Sequence, residues 1–216
     1  MASKQKNKIL EIKNLTIKLP KRADRKLAVE NVSLDIFQNE ILCIVGESGS
    51  GKSIMSSAIM RDVPDALEVS SGEIIFKGKD ILKMTTKEIN SLRGDKISMI
   101  GQEPMAALNP SIKVGRQVDE VFELHQSNLN SKQRKLETLK LFEQMGLPKP
   151  ERIYNSYPHQ ISGGQSQRVV IAMALACKPD ILIADEPTTA LDVTTQAEIL
   201  RLFNDLRNLY DNAVIF

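Results

Sequence analysis

Tryptophan is absent from the sequence, and only 4% of its 216 residues are aromatic. That scarcity argues against a surface on which bases of single-stranded nucleic acid would stack. Cysteine is nearly absent too. Cys43 and Cys177 are the two present, each inside an apolar run. They read as small core hydrophobes, so no disulfide framework or thiolate metal cluster is expected, and a reducing compartment is. Neither sign of charge dominates, with 29 basic and 27 acidic residues. No global field therefore calls for nucleic acid or an anionic membrane as partner. No apolar run approaches the ~18–20 residues of a membrane span. Met1 to Lys8 is polar and basic with no apolar stretch behind it, unlike a secretory signal. If the protein serves a membrane, it does so through a partner. The length suffices for one large or two small domains with a sizeable core.

What is present centres on Gly46-Glu47-Ser48-Gly49-Ser50-Gly51-Lys52-Ser53. The apolar run Ile41–Val45 before it reads as a fully buried strand, and Ile54–Met60 after it reads as a helix with no breaker before Pro64. Strand, glycine-rich turn and helix form the context that a G-x-x-x-x-G-K-[ST] match requires. Gly49 and Gly51 let successive backbone N–H groups converge on a phosphate at a helix N-terminus. Lys52 adds a positive charge for the β- and γ-phosphates, and the Ser53 hydroxyl is suited to Mg2+. A plain turn would not need Lys-Ser at that offset.

Upstream, Ile9 to Leu19 alternates as a half-buried strand ended by Pro20, and Lys21–Lys26 reads as a charged turn. Leu27–Ile36 gives a second strand, so the opening is β-rich and antiparallel. Ser71–Asp80 reads as turn, strand and turn. Thr85-Thr86-Lys87-Glu88 is a capping box opening a short helix to about Arg93. Lys96–Ile100 is a buried strand, followed by loop from Gly101 to about Val118. From there to about Gly146 the pattern is helical, with Ser131 as an N-cap between two helices. Ser166–Ala176 is a buried helix and Asp180–Ala184 a buried strand. Asp192 caps a long helix with the stripe Ile199, Leu202, Leu206 and Leu209. Asn212–Phe216 starts one more buried strand.

Two further constellations carry chemistry. The strand ending at Asp185-Glu186 can bring Asp185 to a metal beside Ser53, with Glu186 turned the other way to polarise an attacking water. Ser162-Gly163-Gly164-Gln165 before a helix is a second anion-binding helix start. One phosphate cradle is enough for one chain, so a spare one suggests a site completed between subunits.

The glycine-rich loop, a Gln after the next buried strand, Ser-Gly-Gly-Gln, and Asp-Glu-Pro followed by Ala-Leu-Asp come in the order and spacing of ATP-binding cassette (ABC) ATPases, which the whole sequence from Ile9 to Phe216 resembles. The resemblance implies an α/β P-loop NTPase fold. Its core sheet would be mostly parallel, with an N-terminal antiparallel β subdomain and an inserted α-helical subdomain. It implies one domain over 1–216, with 1–100 and 177–216 as core plus β part and 101–176 as Gln-loop and helical subdomain. Gly46–Ser53 would be the Walker A loop, Asp185 the Walker B carboxylate and Glu186 the catalytic base. Gln102 would contact Mg2+ and water, and Ser53, Gln102 and Asp185 would hold the metal. Ser162, Gly163, Gly164 and Gln165 would be the signature, acting in trans on ATP held by the other subunit of a head-to-tail homo- or heterodimer. Ala190-Leu191-Asp192 would be the loop communicating between the two sites.

Gln102–Pro110, Gly115–Val118 and Tyr157–Gly164 are similar to importers of the oligopeptide, dipeptide and nickel subfamily, glutathione importers included. That implies two integral membrane permease subunits, an extracytoplasmic solute-binding protein and a peripheral place on the cytoplasmic face of a bacterial inner membrane. It implies no nucleic acid. A DNA-repair, chromosome or translation cassette is the alternative. About 110 residues separate Lys52 from Ser162, without the sustained heptads of the chromosomal kind.

Two departures stand out. The family usually stacks an aromatic on adenine, yet none occurs before Phe37, which leaves an aliphatic such as Ile17 or Leu19. The family's switch histidine follows the last buried strand, and His125 and His159 lie elsewhere. A C-terminally truncated cassette is the expectation, binding ATP with its turnover in question.

Overall fold

The structure is a computed structural model that describes residues 7–102, 104–187 and 193–216. Two four-stranded sheets organise it. The first is antiparallel, in the order β2 (Leu27–Phe37), β1 (Lys8–Lys18), β4 (Glu68–Phe76), β5 (Lys79–Asp80). The second is parallel, in the order β3 (Ile41–Leu42), β8 (Ala213–Ile215), β7 (Ile181–Ala184), β6 (Ile97–Ile100). Helix α1 (Lys52–Ile59) buries Met55, Ala58 and Ile59 in a core shared with both sheets.

Period-2 alternation splits the parallel sheet between two cores. Ile181, Ile183, Ala213 and Ile215 join the core containing α1 and the antiparallel sheet. Leu182, Ala184 and Val214 turn to a second core. That core is built by α4 (Val114–His125), α5 (Ser131–Gln144), α6 (Pro150–Asn155), α7 (Gly163–Leu175) and α8 (Val193–Tyr210). The fold expected from the resemblance is the fold observed.

Several local expectations need correction. Ile41–Val45 is not a fully buried strand. Its ladder runs on one side only, to β8, continuing through Phe216 N–H to the Leu42 carbonyl and Ile44 N–H to the Phe216 carbonyl. Among the described residues β3 is an edge, so Cys43 is exposed and Val45 is 92% exposed. Cys177 alone is the buried thiol. The strand expected at Ile74 begins earlier, at Glu68, because Gly72 does not end it. Gly72 has φ +106°, and a Cβ there would lie 2.5 Å from Leu15 Cα. It sits where the β1–β4 register shifts between Lys13 and Thr16, a bulge in β1 that sets Asn14 and Leu15 against this one residue of β4.

The capping box of α2 (Thr86–Leu92) is present as read, between Thr85 and Glu88. The span from Gly101 to Val118 is more helical than read, with α3 at Pro104–Ala107 and α4 already under way at Val114. No side chain caps α4. Instead Gln117 is buried and ties the preceding loop, donating to the carbonyls of Asn109 and Ile112 and accepting from Asn109 N–H. Asn130, not Ser131, is the N-cap of α5, in a capping box with Gln133. On α8, Ile199, Leu202, Phe203 and Leu206 are buried, whereas Leu209 is 59% exposed. The residues expected to form the loop Ala190–Asp192 and the helix cap at Asp192 lie outside the described residues.

Candidate nucleotide site

Three parallel strands deliver the site at their C-terminal ends, which is where open α/β sheets bind ligands. β3 runs into Gly46–Gly51 and then α1, β6 into Gly101-Gln102, and β7 into Asp185-Glu186. Glycine is required in the loop. Gly51 is the N-cap of α1 at φ +102°, and a Cβ on it would stand 2.3 Å from the Ala28 carbonyl oxygen. Gly49 lies at φ +78°, also in the left-handed region that disfavours side chains. Ser50 N–H donates to the Glu47 carbonyl at 3.1 Å. Lys52 Nζ lies folded over the loop, donating to the carbonyls of Gly46 (2.7 Å) and Glu47 (3.0 Å).

The two halves of the site meet. Ser53 Oγ donates to Asp185 Oδ1 at 3.0 Å across 132 positions of sequence. Gln102 Nε2 donates to Glu186 Oε2 at 3.1 Å. Glu186 has φ +49°, a left-handed conformation uncommon for a residue with a Cβ. Asp185 N–H is fixed on the Ile100 carbonyl at 2.9 Å, so adjacent strand ends set both carboxylates. Ser53, Asp185 and Gln102 together present hydroxyl, carboxylate and amide oxygens, the hard donors that suit Mg2+. Lys52 and the loop N–H groups suit a polyphosphate. On this donor chemistry the residues fit Mg-ATP.

Two clefts flank the loop and share Lys52. The larger, about 650 Å³, is lined by Arg25, Leu27, Val29, Leu34, Gly46 and Lys52, among others. The smaller, about 340 Å³, is lined by Ile44, Lys52, Ala184, Asp185, Glu186 and Phe216, among others. Ile17 is fully buried inside the antiparallel core, and the half-buried Leu19 packs against the same core. Neither lines the larger cleft, so neither takes the place proposed for it against a base. Arg25 does line it, and its guanidinium donates to the Gly49 carbonyl. Reading Lys21–Lys26 as a charged turn missed this residue. The signal available in the sequence was a basic side chain just ahead of a strand whose neighbours offer no aromatic.

Ser162–Gln165 stands apart from this assembly and lines neither cleft. It opens α7 with a reciprocal capping box, Ser162 Oγ accepting from Gln165 N–H and Gln165 Oε1 accepting from Ser162 N–H. Among the described residues, a Cβ on Gly163 would meet nothing within 4 Å, so the start of α7 is open.

Comparison with known proteins agrees with this geometry. Residues 29–189 match the family described as ABC transporter. The oligopeptide transport ATP-binding protein OppD of Bacillus subtilis is 47% identical over 97% of this chain and 58% of its own length. The glutathione import ATP-binding protein GsiA of Pectobacterium atrosepticum is 44% identical over 97% of this chain and 34% of its own. The chain thus spans little more than half, or less, of these relatives. Among solved structures, the ATP-binding cassette MJ0796, a dimer in a post-hydrolysis state bound to ADP and Pi, superposes with a TM-score of 0.82. It is 31% identical and covers 96% of this chain and 86% of its own. With strand ends, loop and carboxylates arranged as described and the family match covering most of its length, the chain belongs to the ABC transporter family.

Proposed function

We propose that this chain binds and hydrolyses ATP to drive import of peptides, nickel or other metal chelates, or glutathione through a binding-protein-dependent transporter. The peptide and glutathione roles in the names of its relatives support the solute class. The observation that carries the nucleotide chemistry is the Ser53–Asp185 contact beside Lys52. In this reading residues 1–216 form one cassette, with 1–100 and 177–216 as core and β part and 101–176 carrying the Gln-loop and helical subdomain.

Gly46, Glu47, Ser48, Gly49, Ser50 and Gly51 wrap the phosphates, and Lys52 leaves its carbonyl partners to neutralise the β- and γ-phosphate charge. Ser53, Asp185 and Gln102 would hold Mg2+, which supplies charge neutralisation on the phosphoryl oxygens. Glu186 orients the attacking water and accepts its proton, with Gln102 holding the carboxylate in place. Ser162, Gly163, Gly164 and Gln165 act on the nucleotide of a partner subunit in a head-to-tail dimer, and Asp192 lies on the loop between the two sites. The position of Ser162–Gln165 outside both clefts supports a role in trans, as does the dimeric state of the MJ0796 cassette. Closure of the dimer would move two integral membrane permease subunits fed by an extracytoplasmic binding protein. The chain would sit on the cytoplasmic face of the inner membrane, and no described helix is long and apolar enough to cross it.

Equilibrium titration with ATP tests the reading. The chain binds ATP, Mg2+ tightens binding, Lys52→Ala lowers affinity at least tenfold, and Asp185→Asn removes the gain from Mg2+. Absence of ATP binding, or affinity indifferent to both substitutions, overturns it.

A further inference from the structure

Among the described residues, the larger cleft beside the loop is lined by aliphatic and charged side chains and by no aromatic ring. One wall is aliphatic, from Val29, Val32, Leu34 and Ile44. The rim carries Arg25, Lys26 and Lys52 against one carboxylate, Glu30. Arg25 is exposed, but it is not loose, because its guanidinium is anchored on the carbonyl of Gly49. That carbonyl belongs to the peptide whose N–H, on Ser50, is held by Glu47. The Gly49–Ser50 plane is therefore pinned from both sides, and Arg25 is pinned with it at the mouth of the cleft.

The geometry points to Arg25 as the base-binding residue of the nucleotide site, its planar guanidinium covering the nucleobase against the aliphatic wall. A guanidinium is planar, weakly hydrated and stacks on π faces, which an ammonium cannot do. The lining residues named here offer an apolar wall and cations without an aromatic ring, so the base is gripped by its face and adenine and guanine are held alike. The inference rests on the ATP-binding reading and specifies how that site takes the base.

The test compares ATP, GTP and inorganic tripolyphosphate as ligands of the 216-residue chain and two variants, Arg25→Ala and Arg25→Lys. Thermal unfolding midpoints check that both variants stay folded, as an exposed position allows. Arg25→Ala weakens ATP and GTP by about tenfold, the size of one lost stacking contact, and changes tripolyphosphate by less than about twofold. Arg25→Lys recovers little, since it restores charge without a plane. Equal losses for ATP and tripolyphosphate would reduce Arg25 to shaping the loop and overturn the inference. So would unchanged ATP affinity, or full rescue by lysine. If the unsubstituted chain binds tripolyphosphate but no nucleotide, or binds neither, the ATP reading itself fails. If it binds ATP and Arg25→Ala is indifferent, only the role of Arg25 falls.

Discussion

Gln102 donates its amide N–H to the Glu186 carboxylate at 3.1 Å, joining the ends of β6 and β7. Glu186 holds that position at φ +49°. A non-glycine residue in the left-handed region costs of order 1–3 kcal/mol and persists where the surroundings fix it. If the carboxylate is the base, Glu186→Gln preserves the shape and removes the basicity. ATP binding should stay within about threefold of the parent, while phosphate release should drop by about 100- to 10,000-fold. The same change should hold ATP-bound dimers closed, visible by size-exclusion chromatography. Near-normal phosphate release would take Glu186 out of the base role.

Gly51 offers a sharper test of the loop. It combines φ +102° with a Cβ position only 2.3 Å from the backbone oxygen of Ala28. Backbone cannot yield as a flexible side chain can, so Gly51→Ala should shift the β2 entry or the loop itself. A loss of about 1–3 kcal/mol in urea unfolding together with loss of ATP binding is the expected result. Gly49 also has positive φ but meets nothing within 4 Å, so Gly49→Ala should show the milder, conformational part alone.

Local chemistry decides some parts of this fold and distant packing decides others. The loop at Gly46–Ser53 was legible because glycine, lysine and serine are each required by backbone geometry or charge at fixed offsets. The capping box at Thr85/Glu88 is legible for the same reason; at Ser162 the sequence shows a helix start, and the reciprocal box with Gln165 comes from the structure. The strand preceding the loop was misjudged because its hydrophobicity resembles that of β7, which has a strand on each side, whereas β3 pairs on one side only. No sequence window contains that difference. Pro150–Asn155 gave too short a pattern for recognition as a helix; its place is set by Tyr154 and Ile153 packing into the helical core. The aliphatic residue expected beside a base on the first strand is not available, because Ile17 is consumed by the core; the residue that reaches the loop is Arg25, from the turn before β2.

In the helical part, Asp119 is buried at 1% exposure, so its polar partners matter. Thr138 Oγ1 donates to Oδ1 at 2.7 Å, the Tyr154 hydroxyl donates to Oδ2, and Arg116 lies 3.5 Å from Oδ2. Tyr154→Phe should cost about 1–3 kcal/mol at neutral pH, the penalty for leaving a buried acceptor short of a donor. Burial first, and the bond to Asp119 second, push the Tyr154 phenol from 10.0 up to about 12. Because the folded value lies above the unfolded one, the stabilisation is complete below pH 10 and is lost as pH rises through about 12. Urea midpoints measured from pH 9 to 12 should therefore fall more steeply for the parent than for Tyr154→Phe. Parallel curves would show that the phenol proton contributes nothing to folding.

The two thiols should part company in the same way. Cys43 is exposed beside the loop, while Cys177 is buried just past α7. Burial, with Asp95 nearby, drives the Cys177 thiol from 9.0 up to about 11. Since the thiolate is the reacting species, both access and ionisation protect Cys177 at pH 8. An aromatic disulfide reagent should titrate one thiol per native chain quickly and the second only after urea is added. Cys43→Ser should abolish the fast phase and leave the slow one intact. Two equally fast thiols in the native chain would mean that the turn between α7 and β7 opens readily, and that the packing of Cys177 against its surroundings does not hold in solution.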